Sequence, residues 1–325
     1  LFGKGGLMPD CYTHVLIGQQ ALMRSGHTVA SQPAFMAGAN GPDPLYMYQA
    51  WRSRRKPDLS VLAGRMHREK TGLFLLALIE NAATPVQQSY VLGFISHYTT
   101  DCTLHPWVAA NTAPGAAYAG KNGHLRMEAA LDSTLYYRNF KSYRVPLHAG
   151  TPVLVTEDLA QVTALLRATI AQVYDRNISL LILADTFHQN LTNRKRLITR
   201  TGFKRPFIHL FEPGGKRKGA LSGKIQPAPP LKTLPDNWVN PFTGAEMNLT
   251  QHEVLALAEQ TGALCLTAAM RYWLGEMHPG KLAAILGNND YYTGLPCQPP
   301  KAKAAPKEPP AAPPKKEQEP DHQTA

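Results

Sequence analysis

Histidines and carboxylates recur at four-residue spacing in two neighbouring stretches of the chain. His97, Asp101 and His105 form the first series, and His124 and Glu128 form the second. Residues four apart lie one above another on the same face of an α-helix. Each stretch, if helical, therefore presents a ladder of imidazole and carboxylate groups on one face.

Such groups need a partner in a protein interior, because burying them unpaired is unfavourable. A divalent metal ion is a suitable partner. Imidazole with carboxylate, without a matched set of thiolates, indicates zinc or a similar first-row ion in a hydrolytic site. For any one of these histidines, the alternative is a hydrogen-bonded core or surface residue.

Three further candidates lie upstream. His14 and His67 stand beside segments predicted to be helical, and Asp43 stands in a Gly-Pro-Asp-Pro turn. Glycine and proline fix the backbone of such a turn, so the alternative role for Asp43 is to stabilise it. The eight side chains exceed the three protein ligands that one catalytic zinc usually takes. They therefore predict a cluster of two or three Zn²⁺ ions.

The spacing of apolar residues predicts the helices that carry these groups. The predicted helices span 65–81, 85–106, 124–136, 157–174, 177–198 and 254–274. The stretch 109–122 is rich in alanine, glycine and asparagine and is predicted to be a loop. No segment shows the sustained alternation of apolar and polar residues that is typical of a β-strand, so we expect an all-α fold.

These motifs, in this order, resemble the bacterial zinc-dependent phospholipase C family. The resemblance covers about the first 140 residues and is carried by 8–14, 38–44, His67, 93–106 and 124–128. That family shares its helical fold and trinuclear zinc site with the fungal single-strand nucleases. The resemblance therefore implies a multi-helix bundle around a zinc cluster.

The resemblance also implies a role for each candidate ligand. Asp101 would bridge two ions. The first ion would also be held by Asp43, His67 and His97, and the second by His14. The third would be held by His105, His124 and Glu128. In the secreted members an N-terminal tryptophan also coordinates the ion of His14, whereas no tryptophan precedes His14 in this sequence.

A cluster of this kind suits displacement at phosphorus, because adjacent metals lower the pKa of bound water and hold the phosphate oxygens. The implied enzyme is a phospholipase C-type phosphoric diester hydrolase, in which metal-bound hydroxide attacks a glycerophospholipid. Asp43 would be a ligand and a candidate proton acceptor. The alternatives are a single-strand nuclease or nucleotidase with the same metals, and a catalytically inactive metal-binding relative.

Several residues near the predicted ligands leave two interpretations open. Asp132 is either a hydrogen-bond partner of a ligating histidine or a solvated helix residue. Tyr98, Trp107, Tyr136 and Tyr137 either line a cleft for an acyl chain, head group or nucleobase, or belong to the core.

A basic segment distinguishes the second half of the chain. Residues 194–232 contain eleven Lys and Arg against a single acid, Glu212, and supply +10 of the net charge of +11. The glycine and proline content predicts a loop over 194–240. The segment could contact an anionic membrane surface or nucleic acid, or be a solubilising insert without a dedicated partner.

The remaining features predict the domain organisation. An irregular lead (1–7) precedes one helical domain (8–298), and a Pro/Ala/Lys/Glu-rich tail (299–325) is predicted to be disordered. No apolar run is long enough for a transmembrane helix. The four cysteines show no paired spacing and the lead has no secretory signal, so we expect a cytoplasmic protein, and a monomer.

Overall fold

The computed structural model describes residues 11–298, most of which are helical. In chain order these helices are α1 (Cys11–Ser25), α2 (Gln32–Gly38), α3 (Pro44–Met47), α4 (Leu59–Met66), α5 (Thr71–Asn81), α6 (Pro85–Thr112), α7 (Gly123–Phe140), α8 (Leu147–Gly150), α9 (Thr156–Tyr174), α10 (Leu180–Leu197), α11 (Arg205–Phe211), α12 (Gln251–Trp273) and α13 (Pro279–Leu286). The predicted all-α fold is confirmed.

One small hairpin departs from the helical pattern. Strands β1 (Asn237–Val239) and β2 (Glu246–Asn248) pair antiparallel. Each has only three residues, which is too short for an alternating pattern to be recognised in the sequence.

Helix α6 lies at the centre of the fold. It begins with a capping box, in which the Thr84 hydroxyl accepts from the Gln87 N–H and the Gln87 side chain accepts from the Thr84 N–H. Pro85 occupies the first turn, where its missing N–H does no harm. The helix packs against α1, α2 and α12 and is buried along most of its length. The ladder that it carries therefore lies inside the protein.

Helices α2 and α6 cross at very short range. A Cβ atom at Gly38 would collide with the Tyr90 carbonyl oxygen, and one at Gly93 would collide with the Phe35 carbonyl oxygen. Larger residues at either glycine would push the helices apart. The close crossing brings the turn that follows α2 against the His97 end of the ladder.

The predicted helix 85–106 is longer in the structure, where α6 continues through Pro106 to Thr112. Proline lacks the N–H that would bond to the carbonyl of Cys102, four residues earlier. The backbone of Gly294 packs closely against that carbonyl. A contact from a distant part of the chain therefore accompanies the interior proline, and sequence periodicity gives no sign of it.

The predicted helix 65–81 is two helices in the structure. Helix α4 ends at Met66 and α5 begins at Thr71, with Lys70 between them at a positive φ of 57°. The carbonyl of His67 accepts a hydrogen bond of 2.8 Å from the N–H of Tyr291. His67 thus lies in a break that contacts the C-terminal part of the domain.

The segment 194–240, predicted to be a loop, contains regular structure. It holds the end of α10, helix α11, two 3₁₀ turns (Gly215–Arg217 and Ser222–Lys224) and strand β1. The buried carboxylate of Glu212 accepts from the backbone N–H groups of Gly219, Leu221 and Ser222 at 2.7–3.0 Å. The chain therefore folds around this one acid, which the glycine and proline content does not reveal.

The predicted lead 1–7 and the predicted disordered tail 299–325 lie outside the described residues. Across residues 11–298, none of the helices combines the length and the apolar character that crossing a bilayer requires.

Candidate metal centre

Five parts of the chain bring the eight candidate ligands together. They are helix α1 with His14, the turn before α3 with Asp43, the break after α4 with His67, helix α6 with His97, Asp101 and His105, and helix α7 with His124 and Glu128. Seven of these side chains are buried. The exception is His124, whose side chain is 19% exposed. The cluster therefore reaches solvent most openly at His124.

Asp101 lies at the middle of the cluster and has no solvent exposure. Its Oδ1 is 3.4 Å from His14 Nε2 and 3.6 Å from His105 Nε2. Its Oδ2 is 3.2 Å from His97 Nε2 and 4.0 Å from His67 Nε2. The two oxygens thus face different pairs of imidazoles, which is the geometry expected of a bridging carboxylate.

A second carboxylate joins helices α6 and α7. Glu128 Oε1 is 3.5 Å from His105 Nε2 and 2.5 Å from His124 Nε2. His124 and Glu128 are four residues apart on α7, as the spacing predicts, and His105 on α6 faces them. The three ligand atoms lie close enough together to share one ion.

The turn after α2 supplies the third carboxylate. Asp43 Oδ1 is 3.3 Å from His67 Nε2, and Asp43 also lies within reach of His14 and His97. Gly41 of the same turn has a φ of 51°, and a Cβ atom at this position would collide with the His97 ring. Glycine is therefore required here both by the backbone conformation and by the contact with the imidazole.

Backbone carbonyls fix the orientation of three of the imidazoles. The Nδ1 atoms of His67, His97 and His105 lie 2.7, 3.1 and 2.8 Å from the carbonyl oxygens of Ala63, Ala39 and Tyr291, respectively. A carbonyl only accepts, so each Nδ1 must carry the proton. In the neutral rings the lone pair is then on Nε2, which faces the carboxylates. This is how metal-ligating histidines are held in proteins.

The atoms that face one another have the properties of a ligand set. The Nε2 atoms of four buried histidines, Asp43 Oδ1 and both oxygens of Asp101 have no hydrogen-bond partner among residues 11–298. Buried polar atoms seldom lack a partner. Two ligands of a tetrahedral zinc ion stand about 3.4 Å apart, given zinc bond lengths of about 2.0–2.1 Å. Most of the nitrogen–oxygen distances are close to this value, so the residues fit zinc.

Comparison with protein families gives a result that agrees with this geometry. The model of the zinc-dependent phospholipase C family matches residues 13–200, which is more than half of the chain. The chain belongs to this family. All eight candidate ligands lie within the matched residues. No curated protein and no solved structure matches the chain significantly.

The electrostatics of the candidate metal centre favour bound positive charge. Burial alone would lower the pKa of His105, but Asp101 and Glu128 outweigh it and raise this pKa to about 9. Burial alone would raise the pKa of Asp101, but His105, His97 and His14 hold it well below its usual value. Burial lowers the pKa of His14, which leaves a neutral ring able to coordinate.

Asp132 has neither of the roles predicted for it. It is buried and accepts from the backbone N–H groups of Tyr12 and Thr13, at 3.0 and 2.8 Å, and from the Thr13 hydroxyl. These donors belong to the first turn of α1, where a helix has unsatisfied N–H groups and favours negative charge. Asp132 thus holds the helix end that carries His14.

Asp132→Ala is expected to lower the free energy of unfolding of the protein by about 2–4 kcal/mol, because three buried donors lose their acceptor. Zinc affinity is expected to fall as well, because His14 is one residue beyond Thr13. Urea denaturation and zinc titration measure the two effects. The control is Asp236→Ala at an exposed position. Equal stability of the two variants would refute the role given to Asp132.

The aromatic residues singled out in the sequence lie mainly in the core. Trp107 is fully buried, and the hydroxyl of buried Tyr98 donates to the Leu286 carbonyl at 2.9 Å. Tyr136 packs against a hydrophobic cluster, whereas Tyr137 is partly exposed and stacks on the Tyr143 ring at 4.3 Å. The core interpretation therefore holds for the first three.

Two tyrosines that no sequence pattern indicates contact the candidate metal centre. Tyr291 donates its N–H to the His67 carbonyl and accepts from His105 Nδ1 through its own carbonyl. The half-buried ring of Tyr292 lies 5.8 Å from the rings of both His105 and His124. Phe242, between β1 and β2, meets Tyr292 edge-on at 5.3 Å. No local pattern around residue 291 signals these contacts.

Proposed function

We propose that the protein is a phospholipase C that hydrolyses glycerophospholipids at two or three zinc ions held by the eight ligands. In the reaction, the oxygen of water bonds to phosphorus and the bond between phosphorus and the glycerol oxygen breaks. Diacylglycerol leaves with a proton, and the head group leaves as its phosphate ester. Bound zinc supplies a nucleophile from water near neutral pH and offsets charge on the phosphate oxygens.

The observation that carries this proposal is the environment of Asp101. It is a fully buried carboxylate whose two oxygens face four imidazoles and have no hydrogen-bond partner among the described residues. If the four imidazoles are neutral, with their Nε2 lone pairs turned toward these oxygens, the charge of Asp101 is left uncompensated at this depth, which is strongly unfavourable. Metal ions would balance the charge of the carboxylate and bind the imidazoles, and the family match supports zinc as the metal.

Asp43 is the residue to which we assign a role beyond ligation. It is the most exposed of the three carboxylates, at 9%, and its Oδ1 has no hydrogen-bond partner among residues 11–298. A general base must lie within hydrogen-bond reach of the proton it accepts. We assign this role to Asp43 because it lies at the more exposed edge of the cluster, where an attacking water would enter.

Hydrolysis of single-stranded nucleic acid or of nucleotides is the second candidate function. The observation in its favour is Tyr292, a half-buried ring beside His124 that makes a T-shaped contact with Phe242. Such a ring offers a face on which an unpaired base can stack. An acyl chain or a head group can contact the same face. The two substrate classes are therefore distinguished by identifying the reaction products.

The test is hydrolysis by the purified full-length protein after its zinc content has been measured. The substrates are vesicles of phosphatidylcholine, soluble short-chain phosphatidylcholine, and single-stranded DNA. We expect at least two zinc ions per chain and release of diacylglycerol that a chelator abolishes. Nucleotide release without diacylglycerol would assign the nuclease function instead. Zinc without hydrolysis of any of the three would support the inactive, metal-binding alternative.

A further inference from the structure

None of the seven residues of helix α11 is buried. In this it differs from the other α-helices of residues 11–298. Three large apolar side chains of the helix are exposed: Phe207 at 55%, Leu210 at 70% and Phe211 at 74%. Phe203, just before the helix, is 72% exposed and lies 6.0 Å from the Phe207 ring. We call these four side chains the α11 apolar face.

The positions of these residues place the apolar face away from the protein. At 3.6 residues per turn, Phe207, Leu210 and Phe211 fall within an arc of about 100°. The opposite side of the helix is fixed to the domain. Ile208 packs against a small hydrophobic cluster, and the Arg205 guanidinium donates to the Ile225 carbonyl at 3.2 Å. The apolar face is therefore exposed while the helix itself is anchored.

Two lysines lie next to this face: Lys204 directly precedes the helix, and Lys218 Nζ donates to the Leu210 carbonyl at 3.2 Å. Lys195, Arg196, Arg200 and Lys204 are all exposed. Glu212, the only acid of segment 194–232, is buried and accepts hydrogen bonds from backbone N–H groups. The exposed side chains of the segment that carries the apolar face thus include several cations, whereas the one acid of the segment is buried.

The segment that carries the face also contacts a helix of the metal centre. The Asn122 side chain, two residues before His124, donates to the Lys218 carbonyl at 3.2 Å. Further along, the Gln226 side chain donates to the Ala129 carbonyl of α7 at 3.0 Å, one residue after Glu128. Anchoring of this segment on a surface would therefore act directly on the helix that carries the most exposed ligand.

We propose that the α11 apolar face inserts into the interfacial region of a bilayer that contains anionic phospholipid. The proposal rests on the proposed function, since it names where that substrate is presented. Aromatic and leucine side chains on one face, bordered by lysine and arginine, are the composition of helices that lie in a membrane interface. The surrounding cations match an anionic surface, and the exposed apolar side chains match its acyl boundary.

The test is co-sedimentation with vesicles of phosphatidylglycerol and phosphatidylcholine, and with vesicles of phosphatidylcholine alone. We expect the wild type to bind the anionic vesicles more tightly. Phe207→Ser/Phe211→Ser is expected to weaken that binding at least about 10-fold, because two large apolar side chains no longer leave water. Zinc content and hydrolysis of soluble short-chain phosphatidylcholine are expected to be unchanged.

The matched control is Leu181→Ser/Val153→Ser, which removes two apolar side chains exposed at 82% and 67% elsewhere on the surface. It is expected to bind vesicles as the wild type does. Equal binding by the α11 variant, or no binding by the wild type, would overturn the proposal. A wild-type dimer that the α11 variant converts to monomer would assign the face to a second copy. Vesicle binding without lipid hydrolysis would refute the proposed function alone.

Discussion

Asp101→Asn is expected to remove zinc and hydrolytic activity together while the helical content stays near that of the wild type. Asparagine keeps the size of the side chain but has one oxygen and no charge. The buried imidazoles that face both oxygens of Asp101 then lose their shared anionic neighbour. Changes in the outer partners of metal ligands already lower affinity or activity by about 10–100-fold. We therefore expect a loss of at least about 100-fold for this central ligand.

Elemental analysis, circular dichroism and hydrolysis of soluble short-chain phosphatidylcholine measure the three properties. Asp236→Asn is the control, since it makes the same chemical change at an exposed position. It is expected to retain zinc and activity. Normal zinc content and turnover in Asp101→Asn would show that the cluster model is wrong.

Removal of the metal by a chelator is the second large effect that we expect. It should abolish hydrolysis and lower the melting temperature by on the order of 10 °C. A ligand present at 1,000 times its dissociation constant stabilises the folded state by about 4 kcal/mol, and each kcal/mol shifts the melting temperature of a large domain by about 2–4 °C. Without the ions, the buried carboxylates and imidazoles lose their bonds to the metal and have only one another as partners.

Thermal unfolding with and without chelator, followed by addition of zinc, measures this effect. Zinc is expected to restore both the melting temperature and the activity. Asp101→Asn provides the control, because its melting temperature should respond little to the chelator. A wild-type melting temperature that the chelator leaves unchanged would indicate that the cluster is held by the protein alone.

The local part of the centre could be predicted from the sequence. His97, Asp101 and His105 share one helix, as do His124 and Glu128, so four-residue spacing alone places each set on one face. The Gly-Pro-Asp-Pro turn likewise indicates a fixed position for Asp43. These predictions depend on backbone geometry over one or two helical turns, which the sequence determines directly.

The contacts between distant segments could not be predicted in this way. Asp132 meets the start of α1 across 119 residues, and Tyr291 meets His105 across 186 residues. Such pairs depend on how the helices pack. Asp132 continues the four-residue series of His124 and Glu128, but the spacing does not show that it meets α1, and no local pattern marks Tyr291. The segment around Glu212 shows the same limit, because its glycines and prolines predict a loop while a buried acid organises its fold.

The two hydrogen bonds of Tyr291 have a consequence for the order in which this protein is made. During translation, all eight ligands have been added to the growing chain by Glu128, about 160 residues before Tyr291 is reached. A nascent chain thus carries every candidate ligand before the peptide that bonds to the His67 backbone and orients the His105 ring exists. The final coordination geometry is therefore acquired late in synthesis, when the last part of the domain docks onto α6.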